Sequence, residues 1–411
     1  MPALLRTTAP EPTVAPIPLS VAFDESIYNS PRVANIRTQL GITKAGYAQA
    51  YTLPNPSFFL LHDSAQLAKQ VGALIPIESP WKIAFRVLLV KEQLKQTDLE
   101  IQKALWQLRS YTRRAYLDLV IAQETRNTLE ELANLSRELQ IVAKRRFQTG
   151  DVADMDVQRA ELAALMAEAD YNQSKRKVDQ SRQCLSVVLG RNYDSPLEVQ
   201  KLPAFELRVE SNDLLPNFRT SAPSADELIQ KALSKRLDLK VIAQAINVNI
   251  ASLKNIRANT LPNVQVNAGY SYSGNPPIPS VATRGYFLGV TQELPLLNFQ
   301  QGERAKNKAI DIQLKQQLAA TRNVITEEVI SAYQRMMAAR ERIGYFQTSI
   351  LATSNVVAKM ARRGYEVGQT DITTTMAAQQ ANVQTQIAYL DAVRNYQLAM
   401  TDLEQAVGEP L

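Results

Sequence analysis

The side chains that most often carry catalysis or bind metals are scarce or poorly spaced in this chain. It has one histidine, His62, and one cysteine, Cys184. These cannot supply a histidine triad, a disulfide framework or a zinc cluster. Glu327 and Glu328 are adjacent on a predicted helix, so their carboxylates diverge. The sequence therefore predicts no enzyme, no cofactor and no metal site. A carboxylate enzyme in a helical bundle is disfavoured because the chain has no Glu-x-x-His pair on which to build it.

Charged side chains gather instead around two glycines, Gly150 and Gly368. Basic residues precede each glycine, and acidic residues follow it: Asp151, Asp154 and Asp156 in the first cluster and Asp371 in the second. Such aspartates can supply N-cap oxygens to a new helix. In a symmetric assembly around a pore they would form a ring of carboxylates that favours cations. The sequence leaves both interpretations open.

Both clusters belong to a stretch that the chain contains twice. The first copy runs from Arg145 to Gly190 and the second from Arg362 to Gly408. One offset of 218 positions aligns the internal and the closing glycines, and it pairs Phe147 with Tyr365, Tyr171 with Tyr389 and Leu185 with Leu403. Internal repeats of this kind fix an architecture. The chain is a tandem duplication.

Each copy predicts a helical hairpin with a tight turn. The internal glycine tolerates the left-handed conformation that ends a helix. In the second copy, apolar residues repeat at spacings of four and three: Tyr389, Val393, Tyr396, Met400, Leu403 and Val407. That spacing is typical of helices packed by knobs into holes.

The first half predicts a helix, two strands and then the hairpin. An extended proline-rich segment covers residues 1–23, and the first repeat covers 24–190. Short apolar or alternating runs predict strands at about 57–63 and 82–90. A run without proline or glycine then begins the hairpin of residues 92–190.

The second half repeats this order of elements. A proline-punctuated inter-repeat (equatorial) segment, 191–224, leads into the second repeat, 225–411. Strands are predicted at about 263–273 and 285–294, and the hairpin at 302–408. Four strands cannot close a sheet on themselves, and open edges are not tolerated in lipid, so several chains would have to pool their strands.

The strand at 263–273 alternates cleanly over about ten residues, the length of a tilted membrane strand. Its apolar face carries the lipid-facing candidates Val264, Val266, Tyr270 and Tyr272. The same row could cover the core of a soluble sandwich, but the chain has too few strands for a second sheet.

No stretch approaches the twenty or so apolar residues of a membrane-spanning helix. Prolines within residues 1–20 break any secretory signal. Since an exported protein should have one, we expect the numbering to start near the mature end or the gene start to be misplaced. The net charge of +6 comes from basic and acidic residues that alternate, so nucleic-acid binding is not expected.

The doubled order of elements, with the motifs R-R-F-x-x-G-x-x-x-x-x-D-V and Y-E-V-G, resembles the TolC family of outer-membrane efflux channels over nearly the whole chain. The resemblance implies a mainly α fold with a small β part: a trimeric α-helical barrel plus a twelve-stranded transmembrane β-barrel. It implies a passive exit duct of a tripartite efflux or type I secretion system, in the outer membrane and extending into the periplasm. Small molecules, metal ions or polypeptides would be the cargo.

The resemblance also implies partners: a homotrimer, a periplasmic adaptor protein, an inner-membrane pump and the outer-membrane lipid. The glycine turns would meet the adaptor and constrict the pore, and the adaptor-facing candidates are Arg145, Arg146, Phe147, Gly150, Val152, Arg363, Tyr365, Val367 and Gly368. The acidic pore-aperture candidates are Asp151, Asp154, Asp156 and Asp371.

The chain departs from the family pattern at the expected gate. Members with an acidic aperture tend to carry carboxylates six and nine residues after the second glycine, where this chain has Thr374 and Ala377. Leu-Pro-Asn-Pro at residues 53–56 resembles the metal-efflux branch. The alternative function is a soluble coiled-coil scaffold without a transport role, which the strand pairs at equal places in both halves disfavour.

Overall fold

The computed structural model describes residues 16–63, 68–200, 215, 223–260, 262–273 and 283–411. Most of the predicted inter-repeat segment 191–224 lies outside these residues, and so do residues 274–282 between the two predicted strands of the second half. The helices are α1 Leu19–Asn29, α2 Pro31–Ala50, α3 Pro80–Gln148, α4 Asp154–Val188, α5 Ala225–Lys235, α6 Leu237–Ala258, α7 Gln301–Tyr345, α8 Leu351–Glu366 and α9 Ile372–Val407. A π-helical turn, Phe346–Ile350, separates α7 from α8.

Four strands form one antiparallel sheet in the order β1-β2-β3-β4. They are β1 Ser57–Asp63, β2 Ala68–Ile77, β3 Val264–Ser273 and β4 Thr283–Gln292. Within the described residues, no helix combines the length and the apolar run that crossing a bilayer requires.

The chain forms two compact units, and each takes residues from both repeats. The helical unit contains the residues up to Asn35, Lys103–Arg236 and Asn323–Leu411. The sheet unit contains Ile36–Gln102 and Leu237–Arg322, and therefore all four strands.

The predicted strand at 82–90 is wrong, because these residues belong to α3. The helix begins at Pro80, and proline suits the first helical position, where its missing N–H has no partner to lose. Ile83 and Val87 are four residues apart and so share one helical face. The second strand is β2, Ala68–Ile77, which lies between the two segments predicted to be strands.

The boundary at residue 23 is also wrong, since α1 already begins at Leu19. Ser30 has an extended backbone between α1 and α2 (ψ 127°) because Pro31 disfavours a helical conformation in the residue before it. This N-terminal part packs in the helical unit: the Tyr116 hydroxyl donates to the Ile17 carbonyl (2.9 Å), and Arg191 forms a buried ion pair with Glu25.

Polar side chains tie the sheet to its neighbouring helices inside the sheet unit. The ammonium of Lys82 is buried and donates to Asn263 Oδ1 (2.6 Å), next to the start of β3. Burial lowers the pKa of Lys82, and Glu78 partly opposes this. Arg86 binds both Glu78 carboxylate oxygens and the Ala50 and Thr52 carbonyls. The Lys82 contact positions the start of β3 against the beginning of α3, and the Arg86 contacts hold the end of α2 there.

Candidate functional site

Four glycines mark the ends of the duplicated hairpins. Gly150, Gly190, Gly368 and Gly408 all have a positive φ, between 76° and 86°. Glycine adopts this left-handed conformation at no steric cost. The predicted role of these glycines as helix stops is confirmed. We call residues 145–157 the first tip and residues 362–375 the second tip; both belong to the helical unit.

The second tip is built around a buried aromatic ring. Tyr365 is 1% exposed and packs with Leu139, Ala143, Ala160 and Ile372. Burial raises the pKa of Tyr365, while the Arg146 charge works in the opposite direction. Tyr365 therefore supports the tip from inside rather than presenting its side chain at the surface.

Arg146 of the first tip crosses to the second tip. Its guanidinium carbon lies 5.1 Å from the centre of the Tyr365 ring, and its Nη1 donates to the Tyr365 carbonyl oxygen at 3.1 Å. Arginine can stack and donate at the same time because its planar group leaves the edge N–H groups available. One side chain thus links the two tips.

Hydroxyl groups and a carboxylate fasten the turn of the second tip. Thr370 and Thr375 both donate to the Ala361 carbonyl oxygen at 3.1 Å. The Asp371 side chain caps α9, accepting from the Thr374 backbone N–H at 3.3 Å and from the Thr373 hydroxyl. These hydrogen bonds hold the pKa of Asp371 below its ordinary value. N-capping of this kind satisfies backbone donors at the start of a helix.

The first tip has no equivalent cap. The N-cap of α4 is Ala153, whose methyl side chain cannot accept a hydrogen bond. The expectation that Asp151 and Asp154 cap this helix is therefore wrong. Asp151 accepts instead from the Thr149 hydroxyl (3.0 Å). Asp154 and Asp156 lie in the first turn of α4, where the positive end of the helix dipole favours them.

The predicted tip residues differ in their exposure. Arg145, Phe147, Gly150, Asp151, Asp154, Arg363, Val367, Gly368 and Asp371 are exposed, Arg146, Val152 and Asp156 are half-buried, and Tyr365 is buried. Among these predicted residues, the most exposed large apolar side chains are Val367, which is 69% exposed, and Phe147, which is 45% exposed. Within the described parts of the chain, no group of three or more histidine, cysteine, aspartate or glutamate side chains could hold a metal ion.

One face of the sheet is apolar across all four strands. The candidates Val264, Val266, Tyr270 and Tyr272 lie on this face, which also contains Phe58, Leu60, Val71, Ala73, Ile75, Ile77, Ala268, Tyr286, Leu288 and Val290. Several of these side chains are strongly exposed, with Tyr286 at 91% and Leu288 at 78%. We call this the apolar face. Sequence reasoning missed its β2 row, although Val71, Ala73, Ile75 and Ile77 alternate as a strand should.

The opposite face is mostly polar and contains two phenylalanines that lie over glycines. A Cβ on Gly72 would stand 2.7 Å from Phe59 Cζ, and one on Gly269 would stand 2.6 Å from Phe287 Cζ. The two rings are 6.1 Å apart. The glycines therefore leave room for the rings across the middle of the sheet.

The second half of the chain matches a known family. Residues 228–409 match the family model described as outer membrane efflux protein. In these residues the chain is similar to the outer membrane efflux protein family, as the sequence resemblance predicted. It is an outer-membrane exit duct of the efflux class that extends into the periplasm.

A curated relative and two solved structures match nearly the whole chain. The cobalt-zinc-cadmium resistance protein CzcC of Cupriavidus metallidurans is 21% identical over 408 residues, covering 97% of this chain and 92% of that protein. The Campylobacter jejuni CmeC outer membrane channel has a TM-score of 0.72 at 16% identity, with 95% and 85% of the two chains covered. The Neisseria gonorrhoeae MtrE outer membrane channel in its open state has 0.70 at 14%, with 96% and 89% covered. The mainly α fold class is confirmed.

Proposed function

We propose that three copies of this chain form the exit duct of a tripartite system that exports divalent metal cations. The observation that carries the proposal is the similarity to a cobalt-zinc-cadmium resistance protein over 97% of the chain. The duct is passive, and an inner-membrane pump supplies the energy. A periplasmic adaptor connects the two.

The sheet supports assembly from several copies. β1 and β4 are the edge strands of the four-stranded sheet, and their outward backbone groups need partners in lipid. Pairing β1 of one copy with β4 of the next would satisfy them, and three copies would close a sheet of twelve strands. The exposed apolar face would then meet lipid, and the polar face would line the passage.

The tips support contact with the adaptor. Arg145 and Arg363 are exposed basic residues beside exposed apolar Phe147 and Val367. A small apolar patch with basic residues at its margin suits a protein partner. The remaining candidates, Arg146, Gly150, Val152, Tyr365 and Gly368, shape this surface by positioning its backbone. Asp151, Asp154, Asp156 and Asp371 provide the negative charge near the aperture that would favour cations.

Assembly is tested by imaging the detergent-purified full chain with electron microscopy. We expect three-fold particles. Monomers that remain soluble without detergent would contradict the duct and would favour the coiled-coil scaffold.

Cargo is tested by deleting the gene in its native host. We expect sensitivity to cobalt, zinc and cadmium salts to rise while sensitivity to hydrophobic dyes stays unchanged, with the plasmid-borne gene restoring resistance. Sensitivity to the dyes alone would overturn the assignment of metal cargo and leave the exit duct in place.

Adaptor contact is tested by reversing two exposed charges, Arg145→Glu together with Arg363→Glu. We expect the amount of adaptor that co-purifies to fall at least about tenfold. Such a loss corresponds to about 1.4 kcal/mol of binding free energy. The matched control reverses the exposed Lys254 and Lys308 of the sheet unit. Equal losses in both variants would contradict a contact at the tips.

A further inference from the structure

The apolar face ends in a polar row at the end of the sheet where the chain passes from β1 to β2 and from β3 to β4. We call this the hairpin end of the sheet. His62, Lys69, Tyr272 and Arg284 are directly opposite one another on β1, β2, β3 and β4. We call these four residues the basic row. The next row along the strands is fully apolar and consists of Leu60, Val71, Tyr270 and Tyr286.

The basic row carries positive charge without a described counterion. Lys69, Arg284 and His62 are exposed. Of the strand residues on this face, none is acidic, and no described carboxylate pairs with Lys69 or Arg284. Arg284 lies over the Tyr272 ring, with its Cζ 5.0 Å from the ring centre. Stacking fixes the guanidinium plane and leaves its edge N–H groups to donate to an anion.

The position of the row identifies the kind of anion. β3 extends eight residues from Tyr272 to Val264, about 27 Å at 3.4 Å per residue, so the basic row lies at one end of the apolar face. Lys69 and Arg284 lie two strands apart, about 10 Å at the usual strand spacing. Tyrosines next to basic residues at the margin of an apolar face are typical of the boundary between hydrocarbon and headgroups.

We propose that the basic row binds the phosphate groups of a lipid in the leaflet at the hairpin end of the sheet. The acyl chains of this lipid lie on the apolar rows, and its phosphates accept hydrogen bonds from Lys69 and Arg284. A phosphorylated glycolipid such as lipid A supplies two phosphates on one headgroup, one for each of the two cations. This inference rests on the proposed function, because the apolar face must lie in a bilayer.

The test is lipid retention by the full-length protein. Wild type, Lys69→Gln/Arg284→Gln and the matched control Lys308→Gln/Lys359→Gln are reconstituted into phosphatidylcholine vesicles that contain diphosphoryl lipid A. A parallel set contains the same lipid A after removal of both phosphates. Mild detergent then releases the protein, and native mass spectrometry counts the lipid A molecules that stay bound.

We expect wild type and control to prefer the phosphorylated lipid, and the double variant to lose about fivefold in affinity for each basic side chain removed. Equal retention of both lipids by wild type, or an equal loss in variant and control, would overturn the inference while leaving the duct intact. Failure of wild type to insert into the vesicles would overturn the proposed function and this inference together. A Lys69→Arg variant that keeps the preference supports binding through charge.

Discussion

The two hairpins share one repeat but are fastened in different ways. Between α3 and α4, the contacts include two ion pairs of exposed side chains, Arg137–Glu168 at 3.5 Å and Lys144–Glu161 at 3.8 Å. Between α8 and α9, buried side chains donate to backbone carbonyls: Gln379 to Ala358 at 2.9 Å and Thr375 to Ala361 at 3.1 Å.

This difference shows that two copies of a duplicated element can differ in how firmly their helices are held together. Exposed ion pairs contribute about 0–1 kcal/mol and are screened by salt. Buried hydrogen bonds are shielded from salt, and breaking them leaves a buried polar group unpaired. We expect the second hairpin to keep its internal packing at any ionic strength, whereas the first yields more easily.

The π-helical turn strengthens this contrast. It lies within the first arm of the second hairpin, at Phe346–Ile350 between α7 and α8, whereas α3 in the first hairpin runs to Gln148 without such a turn. Phe346 packs on Tyr389 with ring centres 6.0 Å apart, and Gln347 donates to the Tyr389 hydroxyl at 3.1 Å. The repeat partner of Tyr389 is Tyr171, which donates to the Glu130 carboxylate at 2.7 Å. The same aromatic position is thus buried in one copy and half-buried in the other.

The largest expected effect comes from the matched aromatic residues of the tips. Tyr365→Ala should destabilise the second tip by about 3–5 kcal/mol, because it empties a buried site. Phe147→Ala, at the equivalent and 45% exposed position, should cost less than about 1 kcal/mol. Hydrogen exchange of the tip amides measures both changes. Equal costs would contradict the difference in burial.

A smaller effect is expected at another pair of positions 218 residues apart. Gln379→Leu removes the buried donor to the Ala358 carbonyl and should cost about 1–2 kcal/mol, independently of salt. Glu161→Gln at the equivalent position should cost no more than about 0.5 kcal/mol, and that only at low salt. Hydrogen exchange of α4 and α9 amides at low and high ionic strength tests this. A salt-dependent loss at Gln379 would reject the proposed distinction.

Much of the fold follows from the sequence because the repeat and its glycines report directly on backbone geometry. The left-handed conformation at Gly150 and Gly368 strongly favours glycine, and such positions are recognisable in a sequence. The second strand was assigned to residues 82–90 instead of β2 because a short apolar run does not by itself distinguish a helix from a strand. Ile83, Phe85, Val87 and Leu89 alternate like a strand, but they continue into a helix without a break.

The tip was only partly predictable, because burial and cross-tip contacts depend on tertiary packing. The pairing of Arg146 with Tyr365 joins residues 219 positions apart, and no local pattern identifies it. The N-cap position of α4 could have been predicted, since the offset of 218 aligns Ala153 with Asp371, the N-cap of α9. Asp151 and Asp154 were predicted instead because they follow Gly150 closely in the sequence.

Giving the first hairpin the cap of the second should reduce the difference between them. Ala153→Asp places a carboxylate at the N-cap of α4 and should stabilise its first turn by about 1 kcal/mol. Val152→Asp adds the same charge one position earlier and is the matched control. Slower hydrogen exchange in the first turn of α4 for Ala153→Asp alone would confirm capping. Equal slowing in both variants would indicate a general charge effect.

The smallest expected effect is a dependence on pH that only the second tip has through its cap. The hydrogen bonds from Thr373 and Thr374 hold the pKa of Asp371 below its ordinary value of 3.8. A carboxylate with a lowered pKa in the folded state stabilises that state above the unfolded pKa, and the contribution disappears as pH falls through the folded pKa. Protection of the first turn of α9 should therefore decrease as the pH falls below 3.8 and through the lower pKa of the folded state.

The control for this effect is Asp371→Asn, because asparagine also caps helices but does not titrate. Glu138 and Glu366, which pair with Arg362, are present in both proteins, so their contribution cancels in the comparison. The difference in α9 protection between wild type and Asp371→Asn should therefore change with pH. A difference that stays constant between neutral and acidic pH would show that the charge of Asp371 does not stabilise the cap, and the contrast between the tips would then rest on Tyr365 and the threonine hydroxyls.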